Sequence, residues 1–184
     1  MPYFRPSASN NKKTDMSTAA TARDHLRHEF LVGGISNAFF NGLIAWLLLK
    51  SGPALGWGGE HSFAVDVVAT GLLLPFIVAL IVIPLQRSKL KKGKLQPIEL
   101  GPGSTMQRIA NRLPASTFKS ALVFGLFGMC AIAPLTLLGF YLFGVLEVPP
   151  ANYAIFKGLW AGIMAGILII PMVLLALRNP QPAT

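Results

Sequence analysis

The chain has 184 residues, 53% of them hydrophobic and 12% charged, about half the charged share of a soluble domain and too little polar surface to cover a globule in water. Its 16 Lys and Arg against 7 Asp and Glu give a net charge of +9, but these charges flank long apolar runs, which is the membrane pattern and excludes a nucleic-acid module. Cys130 is the single cysteine and lies in an apolar run, so no internal disulfide can form and the thiol reads as buried packing.

Residues 1–29 read as a basic tail. Ser7 to Thr21 is rich in Ser, Thr, Ala and Asn and is expected to be disordered, and with no apolar core the tail is not a signal peptide. His25 and His28 are spaced to share a helix face, but two imidazoles make a poor metal set. An interfacial helix start is the simpler reading, and no metal, cofactor or catalytic residue is expected.

A hydrocarbon core about 30 Å thick needs about 20 apolar residues in a helix. Four stretches qualify, over 30–49, 63–85, 120–146 and 153–177, so the predicted fold is an all-α membrane protein with a transmembrane domain over 30–177. Span one carries two rows of small residues, Gly34, Ala38, Gly42 and Gly33, Asn37, Asn41, Ala45, which let another helix approach closely. Asn37 and Asn41 are one turn apart, and lipid offers their amides no partner. They read either as interhelical hydrogen-bonding groups or as part of a polar path.

Span two holds Asp66 one turn inside its boundary, and Pro75 and Pro84 as kinks that a membrane helix tolerates. Glu60 and His61 precede it on the same side and could join an ionisable cluster. The basic loop 86–119 breaks at Pro97 to Gly103. Beyond the break Ser104 can cap a short amphipathic helix, with Met106, Ile109 and Leu113 on its apolar face and Pro114 stopping it. Such a helix would lie among anionic lipid headgroups.

Span three is long, 27 residues or about 40 Å if straight, so it must tilt, or bend at Pro134. Span four repeats a small residue every fourth position, Ala154, Gly158, Gly162 and Gly166, a helix-packing groove. Lys157 lies one turn inside it, near enough to the boundary to snorkel. Aspartate cannot, so Asp66 should face the bundle and pair with Lys157 or Thr70. Residues 178–184 form the second tail.

Orientation follows from the Lys and Arg count. Fourteen lie before span one, in the loop 86–119 or at Arg178, and only Lys50 and Lys157 lie on the other side. Positive loops stay inside, so both termini are expected in the cytoplasm, with the protein in a bacterial cytoplasmic (inner) membrane. A shift of 91 residues pairs Gly34 with Gly125, Gly71 with Gly162, Arg87 with Arg178 and Asp66 with Lys157, suggesting two tandem parallel helical hairpins, an arrangement some transporters use.

No phosphate loop, nucleophile elbow or zinc-ligand spacing is present, so an enzyme is not expected. Of the two remaining classes, the one the residues favour is a transporter-like or channel-like oligomer with a polar path along Asn37, Asn41, Asp66 and Lys157. The alternative is a non-catalytic structural or accessory subunit whose small-residue seams pack against a larger membrane protein. Expected partners are therefore lipids, anionic headgroups included, and either further copies or that larger protein.

Overall fold

The computed structural model describes residues 8–98, 100 and 103–178, with side chains from Thr21 onward. Four of its helices are long and apolar enough to cross a membrane, over Thr21–Leu49, Phe63–Lys91, Thr117–Leu142 and Pro150–Leu177. The chain is thus an all-helical, multi-pass integral membrane protein. In chain order the elements are α1 (Ala8–Leu49), α2 (Phe63–Lys91), α3 (Thr105–Arg112), α4 (Thr117–Phe127), a π-helical segment (Gly128–Ile132), α5 (Ala133–Leu142) and α6 (Pro150–Leu177).

Helix α1 runs on from span one into the stretch expected to be disordered, which is helical from Ala8; Ser7 and the residues before it lie outside the described residues. Extending an existing helix fixes one residue per hydrogen bond with no new nucleus, and the alanines and lysines of this stretch are good helix formers. Of the second tail only Arg178 is described.

The π segment resolves the problem Pro134 creates in span three. Proline has no N–H to return to the preceding turn, and the extra residue in a π turn re-registers the ladder, with Ala133 N–H donating to Gly128 O. The Thr136 hydroxyl donates to Ile132 O at 2.8 Å and accepts from Trp160 Nε1 at 3.0 Å. Thr136→Val should therefore cost about 1–3 kcal/mol by leaving an indole N–H without its acceptor in an apolar setting; unfolding in mixed micelles measures it. The rotation also turns Cys130 outward, so the thiol expected to be buried is exposed.

Helix α6 is the centre of the bundle. Within its apolar window 72% of the residues are buried, against 6% for span one, so α1 is a peripheral helix laid along α6. At the end carrying the loop 92–104, here the basic end, Met172 to Leu177 are almost wholly enclosed. The collar comes from Leu26 of α1, Ile83 of α2, Ile98, Ala110 of α3 and Phe124 of α4. Ile98 N–H and the Arg178 guanidinium close it by donating to Leu177 O and Leu113 O.

Helix α3 starts as its sequence suggests, Ser104 Oγ accepting from Gln107 N–H at 3.3 Å, and Met106 and Leu113 of the expected apolar face pack against the core, but the inward face is rotated away from Ile109. Gln107 and Ala110 are buried, while Ile109, expected on the apolar face, is exposed. The cause is a bond from the preceding loop, Leu100 N–H to Gln107 Oε1 at 3.0 Å, which draws the amide under the loop.

At the opposite, hairpin end the two inter-helix turns clasp each other. Leu55 and Val148 exchange backbone hydrogen bonds of 2.9 Å in both directions, and Trp57 Nε1 donates to Val145 O at 2.8 Å. Span three accordingly stops at Leu142 rather than Leu146: Gly144 takes φ +67°, which ends the helix, and the residues beyond are used in the clasp. Phe63 and Tyr153 are buried beneath it, with Phe140 edge-on to Phe63 and tilted against Phe156.

Candidate functional site

Two places in the spans hold the residues that could carry function. The first is the ionisable group at the hairpin end. Ser62 caps α2 by accepting from Val65 N–H, which sets Asp66 in the first turn, where the helix dipole favours a carboxylate. On α6, Tyr153 and Lys157 are one turn apart and so share a face. Lys157 Nζ donates to Asp66 Oδ1 at 2.7 Å, and the Tyr153 hydroxyl donates to Oδ2 of the same carboxylate.

Both oxygens of Asp66 are thus engaged by one face of α6, and Thr70 is not the partner. The ammonium of Lys157 is largely enclosed by the bundle, so it depends on Asp66 for its counter-charge. The Lys157 side chain is 14% exposed and Asp66 34%, which leaves the carboxylate partly open to the hairpin end. Glu60 and His61 are exposed on the turn before α2 and hold no bond to this group. Among the described residues no three His, Cys, Asp or Glu come together as a metal site.

The second place is the α1–α6 contact. It brings Gly34, Ala38 and Gly42 against Gly158, Gly162 and Gly166. A Cβ at Gly158 would lie 2.8 Å from Ala38 O, and one at Gly162 2.8 Å from Gly34 O. Gly166 faces the ring and carbonyl of Phe30. Asn37 and Asn41 lie beside this seam and turn back onto their own helix: Asn37 Nδ2 donates to Gly33 O at 2.8 Å and Asn41 Nδ2 to Asn37 O at 3.0 Å. The structure therefore does not bring these amides to Asp66 and Lys157.

The chain matches no family model, no curated protein and no solved structure. The reading of its site rests on geometry alone.

Three further features of the structure do not stand out in the sequence. Tyr153 is one, although its spacing from Lys157 is a usable signal. The second is a seam between α2 and span three. Pro75 cannot donate to Gly71 O, and this freed carbonyl points at Gly128, whose missing side chain admits it, while Gly125 lies against Leu72 O. The third is at the basic end, where Gln86 is wholly buried, its Oε1 3.3 Å from His25 Nε2 and its Nε2 without a partner. Glu29 lies between His25 at 3.9 Å and Lys89 at 3.5 Å.

That orphaned amide gives a prediction of unusual sign. Gln86→Met removes a buried donor with no acceptor at the cost of one long hydrogen bond to a partly exposed histidine, so stability should rise. An upward shift of a few degrees in Tm is the expected result in a detergent melt.

Proposed function

We propose that this chain is a non-catalytic accessory subunit of a membrane assembly, docking a larger membrane protein along the flank of α1 that carries Asn37 and Asn41. The observation that carries this reading is where the intramembrane polar groups are spent. Asn37 and Asn41 donate within α1, and Asp66 is taken up by Tyr153 and Lys157 in a contact between helices. A solute path needs groups free to replace a hydration shell. Helix α1, by contrast, leaves Phe40, Ile44, Leu47 and Leu48 outside the bundle, beside amides that each keep an acceptor oxygen and one N–H for a neighbouring helix.

The same reading places the basic end in the cytoplasm of a bacterial cell, next to anionic headgroups, because 14 of the 16 Lys and Arg are there. It also takes the two hairpins as a duplication. Under the 91-residue shift the seam of α1 on α6 becomes that of span three on α2, and Gly34 and Gly162 become Gly125 and Gly71.

Transport by an oligomer is the second reading, and the partial exposure of Asp66 favours it. Two experiments separate them. Accessory docking predicts that the chain co-purifies with one larger membrane protein and that Asn37→Leu with Asn41→Leu releases it while the chain stays folded. Transport predicts solute flux in proteoliposomes that Asp66→Asn abolishes; such flux from the chain alone would replace the accessory reading.

A further inference from the structure

On the other flank of the α1–α6 seam, the larger side chains of the two helices wall an apolar groove of about 520 Å³. Its floor is Ala38, Gly42, Ala154 and Gly158, small because the seam demands it, and its walls are Phe39 and Trp46 on one side and Ile155 and Leu159 on the other. We infer that this groove is a phospholipid site, seating one acyl chain of the leaflet at the hairpin end, with the lipid phosphate held by Lys50.

Length decides between a lipid chain and a partner helix. The lining runs from Trp46 to Ala38 on α1 and from Ala151 to Leu159 on α6, eight residue steps on each, or about 12 Å at 1.5 Å per step. That is close to one leaflet of a hydrocarbon core about 30 Å thick. A transmembrane helix would need a seat twice as long. The mouth lies within a turn or so of where α1 ends at Leu49 and α6 begins at Pro150, at headgroup depth.

Charge at the mouth points the same way. Only Lys50 and Lys157 are Lys or Arg at this end, and Lys157 is neutralised by Asp66. Lys50 makes no ion pair among the described residues; its ammonium stands 5.0 Å from the centroid of Trp46, the ring that walls the groove. An anion at Lys50 is therefore joined to an apolar slot through one side chain, the arrangement of a phosphate on its acyl chain. Tryptophan and lysine are the residues that anchor at this depth.

The test uses the full chain, purified in mild detergent, with phosphatidylglycerol added and binding read by native mass spectrometry. One lipid should remain on the parent protein. Ala151→Phe plugs the mouth from an exposed position off the helix seam and should lower retention at least tenfold. Lys50→Gln should lower it about fivefold, the loss of one lysine at a lipid surface. Both variants should melt as the parent does without lipid. A photoreactive side chain at Phe39 should cross-link to lipid. Equal retention by all three proteins overturns the site, and so does a cross-link to a polypeptide in native membranes.

Discussion

Gly162→Ala should destabilise the bundle even though alanine is the better helix former. In an open helix interior the exchange gains up to about 1 kcal/mol. At Gly162 the added Cβ would sit 2.7 Å from the Cβ of Ala38 and 2.8 Å from Gly34 O, closer than such atoms can approach, and 3.2 Å from Ala38 Cα; the last two contacts are on a neighbouring backbone that cannot rotate away. Helix α1 must lift off α6, and the forced repacking should cost about 1–3 kcal/mol net. Gly128→Ala should cost more, since Gly71 O and Pro75 crowd it from α2. Gly139→Ala reverses the sign: nothing lies within 4 Å of its Cβ, so the propensity gain stands and stability should rise. Unfolding titrations of the three variants in mixed micelles measure the series. Equal effects at Gly162 and Gly139 would mean that α1 is not seated on α6 as described.

This contrast also marks what the sequence could and could not reveal. Span number follows from apolar length, a property of each segment alone, and the rows of small residues on spans one and four are visible as four-residue periodicity. Which row meets which is not, because many pairings of four helices satisfy the same pattern. The features hidden from the sequence are those set by one particular backbone donor or acceptor, near or far in the chain. Gln107 is drawn inward by Leu100 N–H, and span three is cut short by a glycine turn and by Trp57 reaching Val145 O. Asn37 and Asn41 look like free amides in lipid, yet a carbonyl of their own helix lies one turn away in each case. At the hairpin end the carboxylate and the lysine are conspicuous as charges, whereas Tyr153 is one more aromatic near a boundary until α6 places it a turn from Lys157.

Removing the two charges of that site should have unequal effects, and removing both should restore most of the loss. Asp66→Leu takes the counter-ion from an ammonium only 14% exposed and takes the acceptor from the hydroxyl of buried Tyr153. Breaking a fully buried pair this way costs about 3–5 kcal/mol; with Asp66 34% exposed and water able to reach the gap, about 2 kcal/mol is expected here. Lys157→Met leaves a carboxylate that keeps the Tyr153 hydroxyl and the favourable end of the α2 dipole, so about 1 kcal/mol or less should be lost. Combining the two removes the stranded ammonium, and the double variant should be more stable than Asp66→Leu alone, with only the tyrosine hydroxyl unserved. The coupling energy of the cycle then isolates the pair from the rest of the hairpin end. Additive losses would show that Asp66 and Lys157 act on different partners, and would favour the ion path that an accessory subunit does not need.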